Sequence, residues 1–314
     1  MAKDSQIDNT DPLVSMEDIT KRFPGVIAND SVNFSLQEGE IHALVGENGA
    51  GKTTLMKVLY GVYSKESGQI YFEDEPVQIG NPKDANELGI GMVHQHFMLV
   101  PPLSVVDNIT LGREIAHRGI LDREEAKERI VDLANDIGFD IDPEARIEDL
   151  SVGVRQRIEI LKVLFREAEV LILDEPTAVL TPQEVESLYE ILDNLQDQGK
   201  TIIFITHKLN EVMDIADRVT VMRDGEDVGV KEVENTSKNE LANMMVGREV
   251  LLQVEKEESE LGEELIRAEN LSVTDDEGTR IVDDVSFSVR EGEVFGIAGV
   301  QGNGQTELIE ALTG

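Results

Sequence analysis

An α/β fold built on parallel strands is predicted by three observations. Up to about Val246, short apolar runs alternate with longer helical patterns, the order that crossover helices impose on parallel strands. A glycine-rich loop, GENGAGKTT at 46–54, separates an apolar run from the helical pattern LMKVLY. A further apolar run, EVLILDEPT at 169–177, ends in consecutive carboxylates, at the strand end where open α/β sheets bind their ligands.

Strands are expected at IHALVG (41–46), GIGMV (89–93), VLILD (170–174), TIIFIT (201–206) and RVTVM (218–222). Runs this short and this apolar suit buried strands. Helices are expected to begin at Lys52, Arg123, Val154, Pro182 and Leu209. The charged stretch VLLQVEKEESELGEE (250–264) has no loop chemistry and precedes a new strand-like run. The expected division is therefore a domain at 12–248, a linker at 249–264 and a further segment at 265–314.

The 314 residues carry 64 Asp plus Glu against 28 Lys plus Arg, a formal charge of −36 spread along the whole chain. No basic footprint exists for a nucleic acid, which argues against a protein that grips phosphate backbones. A high-salt cytoplasm, a basic partner or chance could each leave such an excess. Because it ignores domain boundaries, and because molar salt confines charge repulsion to a few ångströms, the high-salt reading is the expected one. Apolar residues make up 40% of the chain, enough for a sizeable core. The absence of cysteine excludes disulfides and thiolate metal sites. The N-terminal MAKDSQIDNTDP is acidic and the apolar runs are short, so neither a signal peptide nor a membrane span is expected. A cytoplasmic protein follows, which would need a spanning partner to work at a membrane.

The chemistry is carried by residues at strand ends and helix starts. In GENGAGKTT, the backbone N–H groups of Gly46, Glu47, Asn48, Gly49, Ala50 and Gly51 and the following helix start can surround phosphates. Lys52 would reach the outer phosphate oxygens, Thr53 would ligate magnesium, and Thr54 completes the cradle. Asp174 can hold magnesium, commonly through water, and Glu175 can polarise an attacking water as general base. In LSVGVRQR (150–157), Ser151 and Gly153 offer a hydroxyl and backbone N–H groups at a helix start, which suits a γ-phosphate. Paired carboxylates also occur in solvated turns, and a serine before a helix is an ordinary start. The placement of Ser151 23 residues before Asp174 makes the combination telling.

With Gln95 in MVHQHFMLVPPLSVVDNI and His207 in FITHKL, these motifs occur in an order that resembles the tandem ATP-binding subunit of an ABC importer for simple sugars or nucleosides. The resemblance spans about 12–314, and P-loop kinases and GTPases lack its LSxG element. It implies a P-loop NTPase domain with a mixed sheet core, an antiparallel β subdomain and a helical signature subdomain, followed by the start of a second copy. It also implies ATP and Mg2+ as cofactors, transmembrane permease subunits and a substrate-binding protein as partners, and a peripheral place on the cytoplasmic face of the membrane. Gln95 would sense magnesium and water while its following loop meets the membrane subunit. His207 would contact the γ-phosphate. Phe23, in ITKRFPGV, falls where the family stacks an aromatic ring on adenine, and phenylalanine keeps the ring without tyrosine's hydroxyl. His94 and His96 read as loop contacts. Val152 in place of the second signature glycine and Thr181 after AVL suit this importer branch; Val154 and Arg155 are less typical of it. The segment around Gln95 looks more like nucleoside-linked members than ribose-linked ones. A soluble ABC ATPase outside transport, and a regulatory module that binds nucleotide without turnover, are the competing classes.

The glycine-rich loop has a counterpart. VNFSLQEGEIHALVGENGAGKTTLMKVLYG (32–61) aligns without a gap on VSFSVREGEVFGIAGVQGNGQTELIEALTG (285–314), placing Gln305 opposite Lys52. The expectation is an internal duplication whose second phosphate site is altered. In the family two such domains close head to tail, each nucleotide lying between one phosphate loop and the other domain's signature. The signature completing the Lys52 half-site would then fall beyond Gly314, and the chain alone is expected to hydrolyse ATP poorly unless it self-associates.

Overall fold

In the computed structural model, alternate residues of VLILD and TIIFIT face two different cores. Leu171, Leu173, Ile202 and Phe204 pack on one side of the sheet, and Val170, Ile172, Ile203 and Ile205 on the other. Both faces are covered, which is why the runs read as continuously apolar. The structure describes residues 12–117, 120–248, 261–274, 278–299 and 303–314. They fall into two units that divide between residues 250 and 251.

The first unit begins with β1 (Val14–Phe23), β2 (Val26–Leu36), β3 (Ile41–Val45) and α1 (Lys52–Leu59). Next come β4 (Ser67–Phe72), β5 (Glu75–Val77), α2 (Pro82–Glu87) and β6 (Ile90–Val93). A mainly helical stretch holds α3 (Val105–Thr110), the short pair β7 (Ala116–His117) and β8 (Ile120–Leu121), α4 (Arg123–Asp136) and α5 (Val152–Phe165). The chain returns through β9 (Val170–Asp174), α6 (Pro182–Asp197), β10 (Thr201–Thr206), α7 (Leu209–Ile215), β11 (Arg218–Arg223), β12 (Glu226–Glu232) and α8 (Lys238–Val246).

All five expected strands lie in one six-stranded sheet of order β12-β11-β3-β10-β9-β6. The five from β11 to β6 are parallel, and β12 closes the edge antiparallel, so the sheet is mixed. Its register sets Thr206 beside Val45, Asp174 beside Ile205 and Val93 beside Leu173. Parallel direction and matched register bring four carboxyl ends to one edge, and every expected catalytic side chain lies at or just beyond that edge.

A second, antiparallel sheet runs β2-β1-β4-β5. Its positions were not legible as strands because β-bulges break the alternation. The β1–β2 register shifts between Met16 and Ile19, and Asp18 and Ser31 take left-handed φ values of 51° and 53°. With α1, this sheet buries Met16, Phe34, Leu55 and Met56 against one face of the mixed sheet. α3, α4 and α5 bury Ile109, Ile130, Ile158 and Leu161 against the other. α5 starts two residues before the expected Val154: the Ser151 hydroxyl accepts the Val154 N–H at 3.4 Å and so caps a turn that includes Val152 and Gly153.

The second unit consists of antiparallel β13 (Glu264–Thr274) and β14 (Arg280–Arg290), with α9 (Gln305–Thr313). Several of its internal contacts have counterparts in the first unit. The Arg290 N–H donates to Glu293 at 2.8 Å, as Gln37 does to Glu40 at 2.7 Å. The N–H groups of Asn270 and Asp284 donate to the hydroxyls of Ser286 and Ser272, as those of Asp18 and Ser31 donate to the side chains of Asn33 and Thr20. Phe287 and Phe295 lie 5.1 Å apart, where Phe34 and His42 lie 4.9 Å apart. α9 and α1 each follow a left-handed glycine, Gly304 and Gly51. Of the expected linker, 249–260 lies outside the described residues and β13 already includes Glu264. Among the described residues, no helix is long and apolar enough to cross a membrane.

Candidate active site

The loop 46–54 joins the end of β3 to α1 and is shaped by glycines, two of which, Gly46 and Gly51, leave no room for a side chain. Gly49 and Gly51 take φ of 88° and 97°, and a Cβ on Gly51 would run into the Ala28 carbonyl. A Cβ on Gly46 would strike the Met222 carbonyl of β11, so that glycine sets how closely the loop approaches the sheet. Lys52 is 5% exposed, and its ammonium donates to the carbonyls of Gly46 at 2.8 Å and Glu47 at 3.0 Å. Burial lowers its pKa, opposed by the charges of Glu175 and Asp174. A loop that curls around its own buried cation has the shape and charge for an anionic phosphate.

Asp174 ends β9 and is 2% exposed. Its Oδ1 accepts the Thr53 hydroxyl at 2.9 Å, and burial raises its pKa. The hydroxyl and carboxylate oxygens form the hard donor set that Mg2+ selects, and a buried carboxylate with this one hydroxyl partner fits a cation. Thr53 and Asp174 would hold it, and Gln95, the third expected ligand, makes a different contact.

That contact is with Glu175. The Gln95 amide donates to Oε2 of Glu175 at 3.3 Å, and Nδ1 of His207 lies 3.1 Å from Oε1. Glu175 has a left-handed φ of 48°, rare for a residue with a Cβ and costing on the order of 1–3 kcal/mol. Its N–H donates to the Ile205 carbonyl at 3.0 Å. The chain therefore turns sharply at the end of β9, and the carboxylate comes to rest between residues from two other strand ends.

Other expected residues are placed differently. Among the described residues, neither Ser151 nor Gly153 hydrogen-bonds to the phosphate loop. The Gly153 N–H donates instead to Oε1 of Glu184 at 3.2 Å, while Oε2 accepts the Thr181 hydroxyl and N–H. Sequence reasoning missed Glu184 as the neighbour of this turn. The capping box TPQE was readable at 181–184, but its reach to the signature turn was not. Phe23 is 37% exposed at the end of β1, and Tyr63 packs edge-on to it at 5.3 Å. Tyr63 brings a hydroxyl to the ring expected to stack on adenine, and nothing in the spacing of these two residues announced it. His94 packs on Tyr60 at 6.1 Å, a loop contact as expected.

Residues 29–178 match the family model described as ABC transporter. A solved ATP-binding cassette of an ABC transporter, MJ1267 in its ADP conformation, overlays with a TM-score of 0.68 at 24% identity, covering 76% of this chain and all of that one. The first unit has the ABC ATPase fold. The cbiO1 cassette from Clostridium perfringens, part of the ABC transporter complex cbiONQ, also shares this ABC fold, at a TM-score of 0.64 and 29% identity over 76% of this chain and 95% of that one. Among curated proteins, the guanosine import ATP-binding protein NupO of Bacillus subtilis is 52% identical over 96% of this chain. The glucose import ATP-binding protein TsgD13 of Haloferax volcanii is 48% identical over 97% of it. The chain spans about 60% of the length of these curated relatives.

Proposed function

We propose that this chain binds ATP with Mg2+ and hydrolyses it to drive import of a nucleoside or simple sugar through membrane-spanning permease subunits. The observation that carries this reading is Glu175, held between Gln95 and His207 one residue beyond the Asp174–Thr53 pair. In this role Lys52 and the backbone of Gly46, Glu47, Asn48, Gly49, Ala50, Gly51, Thr53 and Thr54 hold the phosphates, and Phe23 stacks on adenine. Glu175 takes a proton from the attacking water, while Gln95 and His207 contact that carboxylate. The magnesium ion supplies charge neutralisation at the phosphates when bound. Ser151 and Gly153 serve the phosphate of a facing domain.

The relatives' names support import as the process, and they divide between a nucleoside and a sugar. The segment following Gln95 favours the nucleoside. We place the protein on the cytoplasmic face of the membrane, supplied by a substrate-binding protein. The second unit is the opening of a second, altered nucleotide domain, as supported by the repeated hairpin contacts and the matching left-handed glycines. Gln305 stands there in place of the lysine, and its side chain lies against Gly299. The dense acidity reads as adaptation to a salt-rich cytoplasm.

Phosphate release and nucleotide binding, measured on the whole chain with Mg2+ at concentrations that permit self-association, test the proposal. Lys52→Ala should lose binding, and Glu175→Gln should keep binding but lose turnover. A Glu175→Gln protein as active as the native one would overturn the assignment.

A further inference from the structure

Glu211, on the first turn of α7, is 5% exposed and accepts hydrogen bonds on both oxygens. The Thr177 hydroxyl donates to Oε1 at 2.5 Å and the Thr206 hydroxyl to Oε2 at 2.6 Å. The Lys208 ammonium pairs with Oε1 at 2.9 Å and also reaches the carbonyl and hydroxyl of Thr177. The Lys208 N–H donates to the Thr206 hydroxyl at 3.0 Å. Thr177 lies two residues past Glu175, and Thr206 immediately precedes His207. One buried carboxylate thus ties together the two turns that carry the expected base and its histidine.

The Glu175–His207 contact has little means of holding itself. Its side chains are 17% and 43% exposed, and ion pairs open to water contribute little to geometry or stability. Glu175 also sits in a left-handed conformation that its surroundings must maintain. The Glu211 cluster supplies that restraint from below, since Thr177, Thr206 and Glu211 are all buried. Removing the carboxylate leaves two buried hydroxyls without an acceptor and frees both turns to relax.

We propose that Glu211 is a positioning residue, which fixes the turns of β9 and β10 so that Glu175 and His207 keep their mutual geometry. Its catalytic consequence rests on the hydrolytic reading above. A misplacement of about 1 Å at such a pair can cost ~10² in rate.

The test compares Glu211→Ala, Glu211→Gln and Val212→Ala in the whole chain. Val212 is the buried neighbour on α7, so its truncation disturbs the same helix without touching the carboxylate. The readouts are ATP affinity, turnover per folded molecule, melting temperature and the imidazole resonances of His207, assigned among the five histidines with a His207→Asn variant. Glu211→Ala should shift the His207 resonances and lower kcat by about 10-fold or more with ATP affinity retained. Glu211→Gln, which keeps one acceptor oxygen, should restore both in part. Val212→Ala should lower the melting temperature alone. Native His207 resonances in Glu211→Ala, or equal loss of kcat in Val212→Ala, would overturn the proposal. Shifted resonances in Glu211→Ala, with no turnover by the native chain even at concentrations that permit self-association, would uphold the bracket and overturn the hydrolytic reading instead.

Discussion

Oε1 of Glu175 lies 3.1 Å from Nδ1 of His207, across the carboxyl ends of two neighbouring parallel strands. The two residues are 32 positions apart and meet because β9 and β10 run side by side in register. This contact joins the two strand ends directly. His207→Ala should therefore lower turnover by roughly 10²-fold, the usual cost of removing one preorganised group at a reacting phosphate or carbonyl. ATP affinity should be retained, as measured by equilibrium binding beside phosphate release. A large loss of affinity with unchanged kcat would assign His207 to binding alone.

Gly153 and Glu184 are coupled through the signature turn. A Cβ on residue 153 would overlap the Glu184 carboxylate, so Gly153→Ala must displace a side chain already bonded to Thr181. Loss of such a cap costs about 0.5–2 kcal/mol, and each kcal/mol lowers Tm by about 2–4 °C in a domain of this size. Glu184→Ala should produce a similar fall without the overlap. The double variant should be little worse than either single one, because both remove the same contacts. Additive losses in thermal unfolding would show that the two substitutions act separately.

His42 is wholly buried on β3, with Nδ1 2.9 Å from Glu40 and Nε2 2.7 Å from the Thr220 hydroxyl. Burial lowers its pKa, which Glu40 opposes and Arg218 reinforces. The folded state thus disfavours the protonated ring. Its contribution to stability is complete above the unfolded value near ~6.5 and is lost as pH falls below it. Urea unfolding of the native chain should lose stability from about pH 6.5 downward, and His42→Gln should show less of that loss. Parallel pH profiles for the two proteins would exclude His42 as the source.

The formal charge of −36 places many carboxylates close enough to repel one another at low ionic strength. Raising KCl from ~0.1 M to ~1 M shortens the screening length from about 10 Å to about 3 Å. The melting temperature should rise over that range, steeply if the fold is adapted to salt. A temperature that stays constant or falls would show that the acidity has another origin.

The sequence by itself determined the parallel core and the glycine-rich loop, and it singled out the candidate chemical residues. Those features are local: five apolar runs, one glycine pattern and carboxylates at a strand end, each encoded within about ten consecutive residues. It left β1, β2, β4 and β5 unplaced; in β1 and β2, bulges at Asp18 and Ser31 break the two-residue alternation that marks a strand. Only the tertiary structure decided that Glu175 rests between Gln95 and His207, that Glu184 occupies the Gly153 N–H, that Tyr63 meets Phe23 and that Glu211 ties Thr177 to Thr206. Each of these contacts joins different elements of the fold, which only the tertiary arrangement brings together. Spacing records which groups are present; which oxygen meets which donor is set when β6, β9 and β10 align their ends at one edge of the sheet.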